Sequence, residues 1–241
     1  MKAYIRIKHT GEFYDPSCYY AYTGCRELEI PVVKYKAVYS ITDNEPEDPV
    51  VGTVSDVKVA LERFGVKLTP LDYPDELLPF TGRKIWKSTL FTITSHPEDW
   101  HVFVKPVEDI KRFHGTVLDK SEDLIKLGGG LEDIDVWCSE KVRFISEWRL
   151  WVLHGEILGL TPYKGRWDVF PDVNILRRSV AAYTSAPAGY AIDFGITDEG
   201  KTLLVEVGDG SSLASFGLST RFNLNILAAR WKELTSAVGG K

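Results

Sequence analysis

Near the C-terminal end, two β-rich runs each carry a carboxylate among apolar residues: Asp193 in AIDFG and Glu206 in LLVEVGDG. The runs, Gly189–Ile196 and Lys201–Val207, are separated by the turn-forming Asp198–Glu199–Gly200, so they read as a hairpin. Pairing would bring the two acids near each other. Burying carboxylates costs several kcal/mol unless a cation or hydrogen-bond donors compensate. One reading is a Mg²⁺ site, completed by phosphate oxygens, with Asp209 three residues beyond Glu206. The other is structural: one acid caps a turn and its partner faces solvent.

The surrounding pattern is α+β. Ala3–Lys8 alternates as a half-buried strand, and Gly11–Cys25 reads as an irregular aromatic stretch. Glu29–Ile41 supplies one or two strands, and Asp43–Pro49 a polar loop. Val50–Gly52 ends a strand. Ser55 and Asp56 then cap a helix to about Phe64, stopped by Gly65, and Val66–Leu68 forms a short strand. Leu71–Pro79, with two prolines, marks a boundary between a small α/β domain at 1–79 and a larger domain at 80–241. Periodicity leaves Arg83–Thr94 open between helix and strand. His101–Lys105 is a strand and Lys111–Leu118 another. Ile134–Cys138, Lys141–Glu147, Arg149–Leu153 and, after a His154–Gly155 turn, Glu156–Leu160 form a meander. Arg221–Val238 is an amphipathic helix with Leu224, Leu227, Ala228, Trp231 and Leu234 on one face, Trp231 being core or interface. The second half is therefore a mostly antiparallel sheet with flanking helices.

Other residues could carry chemistry. Lys105 ends the apolar run VFVK and either reaches a phosphate or snorkels at a sheet edge. Lys111 follows in KRFHG. Glu147 and Arg149 share one strand face, as a surface salt bridge or as a pair holding ribose hydroxyls and an anion. Several classes are excluded. The five histidines show no HExxH spacing, and no Walker-A loop, GxGxxG fingerprint or GxSxG elbow is present; Gly128–Gly130 is a turn. Three cysteines, Cys18, Cys25 and Cys138, make neither a disulfide framework nor a zinc site; Cys25 has a surface context without nucleophile signals. A net charge of −5 disfavours nucleic-acid coating. The start, MKAYIRIKHT, lacks a signal-peptide core and no run is long enough to span a bilayer, so a cytoplasmic protein without a membrane association is expected.

Individually weak, these signals come in a specific order. VVGTVSDVKVALERFG, YPDELLPFTGRKIW, FVKP, KRFHG, SEWRLWV and LLVEVGDGSSLASFGL together resemble the ATP-grasp superfamily, and more narrowly its R2K clade, over Val50–Leu218. The resemblance implies an ATP-grasp fold, in which two α+β subdomains clamp ATP behind a small α/β N-terminal domain. It implies that Lys105 contacts the α- and β-phosphates and that Lys111 lies on the loop closing over them. A further lysine on the adenine side is Lys84 or Lys87. Trp137, Cys138, Ser139, Glu140 and Lys141 match the strand whose backbone reads adenine, and Glu147 matches the ribose-binding acid. Arg149 matches the clade's arginine, holding the γ-phosphate or an acyl-phosphate. Asp193 and Glu206 match the two Mg²⁺-binding acids. The family's Asn two residues after the second acid is Gly208 here, which leaves that place to Asp209 or to water.

The expected activity is an ATP- and Mg²⁺-dependent carboxylate–amine ligase forming an amide through an acyl-phosphate, with catalytic Arg149, Lys105 and Lys111. Its acid and amine would be an amino acid, a peptide or a protein terminus. Tyr163–Trp167 and Ser211–Ser219 are expected to shape that pocket, with Lys164 and Arg166 either holding an acidic substrate or lying on a solvated turn. The alternative is an ATP-binding assembly or regulatory module without turnover; a kinase-like phosphoryl transferase is a third reading.

Overall fold

The computed structural model describes residues 1–108, 113–127 and 132–236. The chain forms two compact units, Met1–Phe80 with Ile145–Lys241, and Thr81–Phe144.

The larger unit holds two sheets. The first is parallel, ordered β2-β1-β3, from Ala3–Arg6 (β1), Val32–Tyr35 (β2) and Val50–Val51 (β3). The Gly11–Cys25 stretch is not irregular: Pro16–Glu27 is a helix, α1. Asp15 caps it by accepting from the Cys18 N–H, and Pro16 stands at its first turn, where a missing N–H costs nothing. Aromatic content hid the Asp-Pro signal. Val54–Glu62 (α2) starts earlier than expected. Its cap is Thr53, and Asp56 is the reciprocal member of a capping box. Val66–Leu68 forms no strand.

The second sheet, ordered β11-β10-β8-β9, carries the acids. Its strands are Phe144–Leu153 (β8), Glu156–Gly165 (β9), Gly189–Thr197 (β10) and Thr202–Asp209 (β11). The two runs expected on either side of residue 148 are one continuous strand. A helix not expected from the sequence, Val173–Ala182 (α4), is capped by Asp172.

Thr220–Ser236 (α5) joins these parts of the larger unit. Leu224 and Leu227 pack with Ala3, Ile5, Cys18, Ala21 and Cys25, whereas Trp231 packs with Tyr4, Val38 and Leu61. Ile226 meets Trp151, Ala191 and Leu218. Trp231 is thus core, with its indole N–H donating to the Pro46 carbonyl. Gly24 permits the α1–α5 approach, since a Cβ there would lie 2.6 Å from the Thr220 carbonyl oxygen.

The smaller unit is a four-stranded sheet ordered β4-β7-β5-β6: Ile85–Thr89 (β4), Val102–Pro106 (β5), Thr116–Leu118 (β6) and Asp135–Glu140 (β7). The undecided Arg83–Thr94 is both structures in turn, β4 followed by Leu90–Ser95 (α3), with Thr89 as cap. Val102, Val104, Val136 and Cys138 face a core closed by Leu90, Ile93, Leu118 and Leu127. The expected single antiparallel sheet is therefore two, one in each unit. Lys111 and Gly128–Gly130 lie outside the described residues.

All three thiols are buried, and Cys25 is not at the surface. Burial pushes Cys18 and Cys138 up to about 12 and Cys25 up to about 11. At pH 8 about one thiol in a thousand or fewer is then ionised. Native protein should leave a disulfide reagent such as DTNB unreacted for as long as it stays folded, and release all three thiols in denaturant. A fast-reacting thiol in the native state contradicts this packing.

Candidate active site

Strand alternation sorts the smaller unit's candidates. Across its ladders, Lys87 on β4 stands opposite Trp137 on β7, which stands opposite Lys105 on β5. These three form one row on the face turned away from the core. Lys87 Nζ lies 4.7 Å from the Trp137 ring centroid, within cation–π range. Lys105 is buried. In the next row, Ile85, Ser139 and Phe103 share that face. Gly115, from KRFHG, closes it tightly: a Cβ there would come within 2.5 Å of Phe103 Cζ and 3.4 Å of Lys105 Cβ. An aromatic ring and two ammonium groups in one row fit a nucleotide, with a flat base and an anionic tail.

The remaining candidates of this unit lie differently. Cys138 turns its side chain into the core. Lys84 precedes β4, and its Nζ lies 5.2 Å from the ring of Trp86, which packs on the core side. Its backbone N–H donates to Glu140 Oε2 at 2.9 Å. Lys141 Nζ pairs with half-buried Asp119 at 2.6 Å. Register thus separates Lys87 from Lys84, which the sequence alone leaves equivalent.

In the larger unit, Asp193 and Glu206 are direct partners across the β10–β11 ladder, as the hairpin implies. Asp193 is buried, and both its oxygens accept from Arg149: Nε to Oδ1 at 2.7 Å, and Nη2 to Oδ2 at 2.8 Å. Burial pushes the Asp193 carboxyl above the ordinary range, and the guanidinium opposes that rise. The Glu206 and Glu147 carboxylates add to it. Arg149 is enclosed by rings, with its guanidinium carbon 4.8 Å from Phe216, 5.6 Å from Trp151 and 5.8 Å from Tyr163. Tyr163 and Phe216 stack at 5.0 Å.

Glu147 is also buried, but it does not pair with Arg149. It accepts from Tyr163 Oη at 2.8 Å and from Lys164 Nζ at 2.5 Å. Burial, with Asp193 and Glu147 close by, pushes the Tyr163 phenol upward, so it stays protonated and donates. Lys164 holds the chain's own acid. Arg166 is paired with Asp168 in a solvated turn.

Asp209 is held elsewhere. Three residues from Glu206, it falls on the opposite strand face. Its Oδ2 accepts from Arg230 Nε at 2.9 Å and Nη2 at 2.7 Å, and its Oδ1 caps Ser211. Among the described residues no group of three or more His, Cys, Asp or Glu gathers around a metal position. Two facing hard-oxygen acids, one of them buried, fit Mg²⁺ that also takes phosphate oxygens. Gly208 shares the face of Glu206, and a Cβ there would lie 2.7 Å from Leu213 Cδ2.

Sequence reasoning missed Phe216, Trp151 and Arg230 as partners of these charges. Phe216 and Arg230 come from a loop and a helix that no local pattern ties to the hairpin. Trp151 was legible, since it is two residues beyond Arg149 on the same strand.

Comparison with known proteins completes this picture. The family model "ATP-grasp domain, R2K clade family 2" matches residues 80–224, more than half of the chain. Comparison with curated proteins finds no match. Among solved structures, N5-carboxyaminoimidazole synthetase from Staphylococcus aureus is similar, with TM-score 0.61, 11% identity, and coverage of 97% of this chain and 78% of that one. D-alanine–D-alanine ligase from Bacillus anthracis complexed with ATP gives 0.54, 12%, 99% and 99%. D-cycloserine synthetase DcsG gives 0.56, 13%, 96% and 100%. The chain has the ATP-grasp fold. Within that superfamily it belongs to the R2K clade, family 2.

Removing the Tyr163 hydroxyl should expose how much the Glu147 cluster depends on it. Tyr163→Phe keeps the ring stack but leaves a buried carboxylate one donor short, at a cost of about 1.5–3 kcal/mol. Urea unfolding checks this, and a change below about 0.5 kcal/mol would show that Lys164 alone satisfies Glu147.

Proposed function

We propose that the protein is an ATP- and Mg²⁺-dependent carboxylate–amine ligase. The observation that supports it best is the Asp193–Glu206 ladder pair beside buried Arg149, in a chain whose family model spans both. Its similarity to structures named as ligases and synthetases, one complexed with ATP, points the same way. The division at 79/80 belongs to this reading, with residues 1–79 preceding an ATP-grasp domain at 80–241.

In this reading Lys105 takes the nucleotide's α- and β-phosphates, and Lys87 stands on its adenine side with Trp137 in the same row. The family resemblance assigns Lys111, from KRFHG, to the phosphates as well. The backbone of 137–141 reads adenine, and Glu147 takes a ribose hydroxyl. Asp193 and Glu206 hold Mg²⁺, and Asp209 serves only by fixing Arg230. When bound, Mg²⁺ neutralises charge on the transferring phosphoryl group. The acceptor carboxylate attacks the γ-phosphorus, releasing ADP and leaving an acyl-phosphate. Arg149 holds the phosphoryl oxygens of that product. An amine then displaces phosphate, loses a proton, and leaves an amide. The acid and amine are an amino acid, a peptide or a protein terminus. We place this chemistry in the cytoplasm, where ATP is supplied.

A second reading, nucleotide binding without ligation, is favoured by Gly208 in place of the family's Asn. The two differ in ADP release. A ligase makes ADP and phosphate only when its acid and amine are both present; the binding module makes none.

Two measurements test the site. A non-hydrolysable ATP analogue with Mg²⁺ at about 100 times its dissociation constant should stabilise wild type by about 2.7 kcal/mol, read as a rise in Tm. Lys105→Ala and Lys87→Ala should lose most of that rise and Lys84→Ala little; equal losses at Lys84 and Lys87 would break the row assignment. In the second, Glu206→Gln should cut acid- and amine-dependent ADP release by about a hundredfold or more. Turnover that survives it rules out Glu206 as a metal ligand.

A further inference from the structure

Asp193 already has a cation. Its two oxygens accept from Arg149 at 2.7 and 2.8 Å, in the two-point geometry that guanidinium and carboxylate favour. A divalent ion at the Asp193–Glu206 pair would sit beside that guanidinium, where like charges repel strongly in a water-poor interior. The metal and Arg149 therefore compete for one carboxylate. Beyond Glu206, the acids near Asp193 among the described residues are already held: Glu147 by Tyr163 and Lys164, and Asp209 by Arg230 on the other strand face.

Arg149 is also poised to leave. Its Nη1 has only a long contact, 3.3 Å, to the Ala214 carbonyl. The ring over it, Phe216, is 40% exposed and sits in the left-handed region at φ +39°, followed by Gly217 at +83°. A non-glycine residue held there is strained backbone, of the kind found at switch regions.

We propose that Arg149 is an internal counter-ion that closes the Asp193–Glu206 pair to divalent metal until a nucleotide phosphate draws its guanidinium away. Metal and nucleotide then load together, and metal alone does not load. This rests on the reading of this face as the site of nucleotide and Mg²⁺.

The probe is Mn²⁺, titrated into the full chain and followed by electron paramagnetic resonance. Arg149→Met without nucleotide should bind Mn²⁺ at least about tenfold more tightly than wild type without nucleotide. Wild type should reach comparable affinity only with a non-hydrolysable ATP analogue. Asp193→Asn, added to Arg149→Met, should take the gain away. Arg149→Lys keeps a charge but not the two-point geometry and should gain severalfold; it carries the test where Arg149→Met does not fold. Equal Mn²⁺ affinity in wild type and the folded variants overturns the proposal. A thermal shift of wild type with the analogue and Mg²⁺ separates the two failures. If the shift is present while Mn²⁺ affinities are equal, the counter-ion role falls and the nucleotide reading stands; if it is absent, both fall.

Discussion

A carboxylate enclosed as deeply as Asp193 keeps its charge only if a cation is brought to it, and the larger unit's second sheet is arranged to do this. Arg149 reaches Asp193 because β8 is next to β10 in the sheet, and it lies along that face because it is two residues from Glu147. The rings of Tyr163, Trp151 and Phe216 exclude water around the guanidinium and offer it their faces. Excluding water strengthens the ion pair and raises the cost of breaking it. The same enclosure that makes the pair stable thus makes any replacement of Arg149 by another cation an exchange of charge for charge.

Support for that face comes from α5, which turns different residues into three apolar clusters. Trp231, Leu224 with Leu227, and Ile226 each bury against a different group. A helix that served one sheet alone would leave a polar stripe of several turns facing water. On the same helix Arg230 holds Asp209 and Glu233. That ion pair pins the end of β11 to the helix. It fixes the strand whose Glu206 faces Asp193 without adding a charge to their side of the sheet.

How much of this could be read from the sequence follows from the range of each interaction. The hairpin was legible, because a turn and two β-rich runs are local, and with it the Asp193–Glu206 pairing. Helix α1 was obscured, although Asp15–Pro16 is a local start signal, by Tyr19, Tyr20 and Tyr22 off its buried side. Lys84 and Lys87 could not be separated from spacing, since the register with Trp137 is set by a strand about fifty residues further on. Asp209 looked like a third ligand because three residues is close in sequence, whereas on a strand an odd spacing sends it to the other face. Arg149–Asp193 joins residues 44 apart, and no motif announces that these two side chains pair.

Gly208 shows why the departure from the family pattern is consistent with the rest of the site. It lies on the face of Glu206 and Asp193, where a side-chain amide would add an oxygen. The space is taken by Leu213, whose Cδ2 would be 2.7 Å from a Cβ at 208. Leu213 packs with Trp151, Ala191 and Leu218, so it anchors the start of the loop that carries Phe216 over Arg149. In the proposed reading the place of a metal ligand has gone to an apolar contact beside the loop that covers Arg149. With Asp209 turned to Arg230, the oxygens beyond the two carboxylates would then come from phosphate or water. A site with so few protein ligands has weak intrinsic affinity for a hydrated Mg²⁺, which gives up its water reluctantly. In the proposed reading both features, the missing amide and the resident guanidinium, act in the same direction: they would make the nucleotide's phosphates a required part of the metal's coordination.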